Sequence, residues 1–215
     1  MKLHGYFRSS AAYRVRIALN LKGLDYETVS VHLLKDGGQQ FSDAYKALNP
    51  TSLVPTLVDG ELAIGQSMAI LEYLEETHPE PALLPQDAAG RARVRAIAQT
   101  IACDIHPLNN LRVLKHLKHA MGVDEEAKNA WYRHWIDVGL TSIEAMLAGQ
   151  SATGRYCHGD HITLADVLLV PQVFNARRFD CDLSAMPTVT RIVEACSELD
   201  AFARAEPARQ PDADA

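Results

Sequence analysis

The chain has 215 residues, of which 47% are hydrophobic and 22% charged, a globular balance that provides for one large domain or two small ones. No run approaches the roughly 18 uninterrupted apolar residues a membrane span needs. The opening Met1-Lys2-Leu3-His4-Gly5 lacks the apolar stretch and cleavage site of an export signal, so a cytoplasmic location is expected. A net charge of −6 disfavours nucleic acid or an anionic membrane as the main partner. An acidic ligand would need concentrated positive charge, and Arg8, Arg14 and Arg16 supply it within nine residues.

Lys2 to Tyr6 reads as a short strand. Ser9-Ser10 then precede Ala11 to Lys22, where Val15, Ala18, Leu19 and Leu21 recur at helical spacing and Gly23 follows as a stop. Tyr26 to Val31 alternates like a strand, which completes a βαβ unit with a parallel pair. Asp36-Gly37-Gly38 marks a turn, and Phe41 to Leu48 reads as a short helix ended by Asn49-Pro50. Thr56 to Val58 and Leu62 to Ile64 flank Asp59-Gly60, a hairpin signal. Gln66-Ser67 starts a helix with Ile70, Leu71 and Leu74 on one face, stopping before Pro79.

Pro79, Pro81 and Pro85 stiffen the next segment, which reads as a linker. Beyond it the period is helical. Ala88 to Ala120 is one segment bent near Pro107, Glu125 to Leu147 a second long helix, and Leu164 to Phe174 an apolar central helix. Val189 to Cys196 and Glu198 to Ala203 add short helices before a mobile tail from Glu206. Cys103, Cys157, Cys181 and Cys196 form no C-x-x-C pair and read as thiols in a reducing compartment. The histidines form no metal-ligand cluster.

A βαβαββα domain, a proline-rich linker and an all-helical domain together resemble the cytosolic glutathione transferases. That resemblance implies an α/β thioredoxin-like domain over 1–80, a linker at 81–86, an all-α domain over 87–205 and a tail at 206–215. Val54-Pro55 resembles the family's cis-proline corner, where the Val54 backbone is presented to a peptide like a sheet edge. Gln66-Ser67 reads as a helix cap or, by the resemblance, as the pair that binds the γ-glutamyl carboxylate. Thr163-Leu164-Ala165-Asp166 resembles the capping box that opens the buried central helix.

Tyr6-Phe7-Arg8-Ser9-Ser10 with Arg14-Val15-Arg16-Ile17-Ala18-Leu19 is similar to the signature of the zeta class. Gly38-Gln39-Gln40-Phe41, Ala47-Leu48-Asn49-Pro50, Val170-Pro171-Gln172, Arg178-Phe179 and Arg209-Gln210-Pro211-Asp212 agree with it. The resemblance implies a glutathione-dependent cis–trans isomerase of maleylacetoacetate or maleylpyruvate, acting as a homodimer. Many zeta proteins have cysteine after the serine pair, where this chain has Ala11, so redox chemistry at that position has no nucleophile.

By the resemblance, Ser9 donates a hydrogen bond to the glutathione thiolate at the first helix N-terminus, and Ser10 is a supporting donor or the helix cap. Glutathione contacts are assigned to Ser9, Gln40, Val54, Gln66, Ser67, His106 and Asn110. Arg8, Arg112 and Arg178 are assigned to the diacid substrate, Arg8 and Arg178 also to catalysis, because guanidinium groups bind carboxylates in two-point geometry. Arg112 favours the shorter maleylpyruvate. At least one of Arg14 and Arg16 is expected to pair with a carboxylate of the helical domain. The rival readings are a general conjugating or dehalogenating transferase, whose pocket should be more apolar, and a non-catalytic binding protein on the same fold.

Overall fold

The structure is a computed structural model that describes residues 1–213. The chain forms two compact units, one comprising Met1–Leu83 with the chain from Ser197 onward, the other Leu84–Cys196.

The first unit is built on a mixed sheet of four strands, Lys2–Gly5 (β1), Glu27–Ser30 (β2), Thr56–Asp59 (β3) and Leu62–Gly65 (β4), in the order β2-β1-β3-β4. β1 and β2 are parallel, as the βαβ reading predicts, and β3 and β4 run antiparallel to their neighbours. The β3–β4 turn closes at Asp59-Gly60, where Gly60 takes the left-handed conformation (φ +59°) that glycine adopts without steric cost. The crossover helix Ser10–Leu21 (α1) is buried on nearly all sides: Ala12, Val15, Ile17, Ala18 and Leu19 have no exposed surface. Ser67–Thr77 (α3) adds Ile70, Leu71 and Leu74, buried like Leu3 and Leu57 of the sheet. The predicted helix from Phe41 begins later, at Asp43–Leu48 (α2), because Ser42 caps it by accepting the Tyr45 amide; a 3-10 turn, Gln39–Phe41, precedes it.

Past the end of α1, Lys22 is fully enclosed. Its ammonium donates to Glu75 Oε2 at 2.8 Å, the His78 carbonyl at 2.7 Å and the Pro81 carbonyl at 3.0 Å, so all three donors are used. Glu75 in turn accepts the Leu83 amide at 3.0 Å. A single buried ion pair thereby ties α1, α3 and the proline-rich segment together. The Val54–Pro55 and Glu80–Pro81 bonds are both cis.

The end of the chain departs from the sequence reading. Pro187–Ser197 (α8) is followed by Asp200–Ala205 (α9), which packs on α1 within the first unit. Residues 206–213 are no mobile tail: a 3-10 turn at Pro207–Arg209 leads to Gln210 and Asp212, 9% and 6% exposed. Polar partners far away in sequence fix this segment, so no local pattern announces it. Asp214 and Ala215, included in that expectation, lie outside the described residues. Of Arg14 and Arg16, at least one of which is expected from the sequence to pair with a carboxylate of the helical domain, Arg16 donates instead to the Phe7 and Ala205 carbonyls, both at 3.0 Å.

The second unit is helical. Ala88–Gln99 (α4) widens into a π-helical turn at Thr100–Ile105 and tightens into a 3-10 turn at His106–Asn109. A new helix, Leu111–His119 (α5), then starts with Asn110 as its cap, so the expected bent helix is two helices joined by an irregular turn. Pro107 lacks the amide that would continue the ladder, and the Asn110 side chain satisfies the next helix start instead. Glu125–Leu147 (α6) has the predicted bounds, and Leu164–Arg178 (α7) runs four residues past the predicted Phe174. Asp166, with no exposed surface, accepts the Thr163 amide and hydroxyl and the Cys157 amide, all at 2.8 Å.

Lys22→Ala would leave Glu75 buried without its cation. It is expected to cost about 3–5 kcal/mol, read as a lowered denaturant midpoint, and Lys22→Met with Glu75→Met to cost less than the single change.

Candidate active site

Strand register decides which loops share an edge. His4 pairs with Thr56 and Thr56 with Gly65, while Gly5 pairs in parallel with Ser30. The loops leaving β1, β2 and β4 and the loop entering β3 therefore emerge at one end of the sheet. They carry Arg8 and Ser9, Gln40, Gln66 with Ser67, and Val54.

Ser9 is the N-cap of α1. Its backbone is extended (φ −70°, ψ 117°), its amide donates to the Tyr6 carbonyl at 2.9 Å, and its Oγ accepts the Ala12 amide at 3.2 Å. A hydroxyl accepts through a lone pair and keeps its proton to donate, so capping and donation are compatible. Ser10 lies inside the helix and is buried, which settles Ser9 as the cap. Arg8 is exposed and rests on its neighbours: Nη2 donates to the Tyr6 hydroxyl at 2.9 Å and the guanidinium lies 5.0 Å from the Phe7 ring centre.

Val54 has neither backbone group paired among the described residues. Gln66, exposed, holds a positive φ of 65°, rare for a side chain larger than glycine and a conformation that clusters at ligand sites. It directly precedes α3 and makes no side-chain cap bond. Ser67 begins α3, and its Oγ accepts Arg14 Nη1 at 3.2 Å, which sets a fully buried positive charge beside a helix N-terminus. The Gln40 side chain is 5% exposed, and its Oε1 is buried without a hydrogen-bond partner among the described residues. Gly38 makes room for it, since a Cβ there would sit 2.9 Å from that oxygen. A cavity of about 610 Å³ beside His4, Ser30, Gly38, Phe41 and Tyr45 is lined by none of Ser9, Gln40, Val54, Gln66 and Ser67.

The remaining predicted residues belong to the second unit. His106, half-buried, opens the 3-10 turn, and the Asn110 side chain is used to cap α5 by accepting the Arg112 amide at 3.1 Å. Arg112 is exposed. α6 fixes the turn: Trp131 Nε1 donates to the Leu108 carbonyl at 2.8 Å, and Asn109 Nδ2 to the Tyr132 carbonyl at 3.2 Å. Arg178, exposed at the end of α7, lies 4.9 Å from the Phe179 ring centre, and Phe179 stacks on Tyr132 at 3.6 Å. Burial pushes the Tyr132 hydroxyl up to about 12, against the opposing charge of Arg178, so it stays protonated. Tyr132 thus holds the 106–112 turn through its carbonyl and backs the Phe179 ring against which Arg178 lies. No sequence signal marks it, because its partners are distant in the chain.

Residues 3–82 match the glutathione S-transferase N-terminal domain family. The chain is 54% identical over 98% of its length, and 97% of the relative's, to a probable maleylacetoacetate isomerase of Vibrio cholerae. The holo structure of a maleylpyruvate isomerase, a bacterial zeta-class glutathione S-transferase, matches with TM-score 0.96 and 54% identity, covering 99% of both chains. A maleylacetoacetate isomerase of Methylobacterium extorquens with bound malonate and glutathione matches with TM-score 0.96 and 44% identity over 100% of both chains. The chain belongs to the zeta class of the glutathione S-transferase family.

Within that class its own thiols are poorly placed for chemistry. Ala11 and Ala12 stand in the first turn of α1. Burial pushes the Cys157 and Cys196 thiols well up, and Asp166 pushes them further in the same direction. A raised thiol stays protonated at neutral pH and does not attack. Alkylation of the folded transferase at pH 8 is therefore expected to modify exposed Cys103 first and to reach Cys157 and Cys196 only after unfolding; mass mapping checks the order.

Proposed function

We propose that the chain is a glutathione-dependent cis–trans isomerase of a maleyl-type diacid, maleylpyruvate or maleylacetoacetate, giving the fumaryl product. The observation that carries this is Ser9, whose oxygen accepts the Ala12 amide while its proton remains free to donate at the N-terminus of α1. A hydroxyl donor and a helix N-terminus both favour an anion at that point.

The residues fit glutathione. Ser67, Gln66 and the buried Arg14 charge suit the γ-glutamyl carboxylate, and the unpaired Val54 backbone suits the peptide of the cysteinyl residue. The orphaned Gln40 Oε1 asks for a donor that a peptide amide supplies. His106 and Asn110 are proposed as further contacts. When bound, glutathione supplies the sulfur nucleophile that adds reversibly to the activated double bond, and it is regenerated when the sulfur leaves. Ser9 holds the sulfur anionic, with Ser10 in support. Arg8, Arg112 and Arg178 bind the substrate carboxylates and oppose negative charge developing on the substrate carbonyl. All three are exposed, and none is ion-paired to a carboxylate among the described residues, which leaves them available to a diacid. Malonate, a short diacid, is bound with glutathione in the Methylobacterium relative. Arg112 supports a preference for maleylpyruvate, whose carboxylates are closer together. Following its family, the protein is proposed to work as a cytoplasmic homodimer.

The test is absorbance-monitored isomerisation of both substrates with and without catalytic glutathione. Turnover that depends on glutathione but consumes no thiol supports the proposal; turnover of neither substrate overturns it. Ser9→Ala is expected to lower kcat on the order of a hundredfold with little change in glutathione affinity. Arg112→Ser should raise KM more for maleylpyruvate than for maleylacetoacetate, and equal effects would remove the preference.

A further inference from the structure

The turn that carries Arg8 and Ser9 is held from outside by the end of the chain. Asp212, 6% exposed, accepts the Phe7 amide at 3.0 Å and the Ser30 hydroxyl at 3.1 Å, both on Oδ2. On the other side of the same residue, Arg16 Nη2 donates to the Phe7 carbonyl at 3.0 Å while its Nε donates to the Ala205 carbonyl at 3.0 Å. Arg16 is 3% exposed; burial pushes its guanidinium down to about 10, with Asp212 among the groups that oppose the shift, so it remains charged at neutral pH. Both backbone polar groups of Phe7 are thus bonded to buried charged side chains of opposite sign. The segment bearing Asp212 is anchored in its turn by Gln210 Nε2, which donates to the Arg204 and Glu206 carbonyls at 2.9 Å.

We propose that Asp212 is a positioning residue: by fixing the Phe7 amide it sets the backbone that aims the Arg8 guanidinium and the Ser9 hydroxyl. This rests on the role given to Ser9 above. Charge-assisted hydrogen bonds are short and directional. A displacement of about 1 Å in a catalytic donor costs up to about a hundredfold in rate. The bonds span 205 and 182 residues of sequence, so the catalytic turn is completed only once the chain end has docked.

The test compares Asp212→Ala, Asp212→Asn, Ser9→Ala and the double variant Ser9→Ala with Asp212→Ala, each assayed for kcat, KM and pH–rate profile, with thermal midpoint measured alongside. Asp212→Ala is expected to lose about tenfold in kcat, to move the acid limb of the profile toward higher pH and to change KM for glutathione by less than about threefold. Asp212→Asn keeps an acceptor oxygen without the charge and should lose about threefold; it carries the test where the alanine variant does not fold. If Asp212 acts through Ser9, the double variant is no slower than Ser9→Ala alone. A slow Ser9→Ala with additive further loss in the double variant overturns the positioning role alone. An unimpaired Ser9→Ala overturns the role of Ser9 on which the inference rests. Losses that track only the thermal midpoint, with an unmoved pH profile, reduce Asp212 to a structural tie and also overturn the proposal.

Discussion

Two pairings, His4 with Thr56 and Thr56 with Gly65, determine which loops of the first unit share one end of the sheet. Four loops that are far apart in sequence emerge there because β3 runs against β1 and β4 against β3. A shift of one residue in either pairing would turn every side chain of the shifted strand to the opposite face. The core would be lost with the site, since Leu3 and Leu57 belong to the buried face. Packing and function therefore rest on the same register. The edge that results collects features suited to an anionic peptide: helix N-termini at Ser10 and Ser67, and an unpaired backbone at Val54.

Buried cations fasten α1 along its length, Arg14 and Arg16 near this edge and Lys22 at the far end of the helix. Lys22 ties the end of α1 to α3, Arg14 reaches from α1 to Ser67, and Arg16 reaches from α1 to Phe7 and Ala205. Replacing such groups by well-packed apolar residues is often neutral or stabilising, so their contribution here is not an excess of stability. What they provide is direction. A leucine in place of Arg16 would fill space but could not hold a carbonyl at a defined angle. Helix α1, apolar over most of its surface, thus carries its few polar side chains where the loops need to be held in place.

The parts legible in the sequence were those coded locally. Ser9 before an amphipathic run, Asp59-Gly60 between two apolar runs and the Thr163–Asp166 spacing each mark a structure whose hydrogen bonds close within a few residues. The bounds of α6 followed for the same reason. What was missed depends on distant partners. The π-helical turn before His106 packs against α6, where Gly139 admits the side chain of Ile105, which a Cβ there would meet at 2.3 Å. The order of the chain end depends on Phe7 and Ser30, and the setting of Arg178 on the stacked rings of Phe179 and Tyr132. Motif resemblance named the site residues without these supports. It could say that Ser9 matters, but not that its oxygen is already engaged with Ala12 and only its proton remains to give.

The central claim is that the N-terminus of α1, with Ser9, holds a thiolate. Its most direct test is the titration of the glutathione thiol bound to the protein, followed by thiolate ultraviolet absorbance in the wild type and in Ser9→Ala. The account predicts a wild-type pKa at least about one unit below the ~8.5 of a free cysteine thiol, returning toward that value in Ser9→Ala. A bound thiol that titrates like the free one, or a depressed pKa unmoved by loss of the Ser9 hydroxyl, would contradict it.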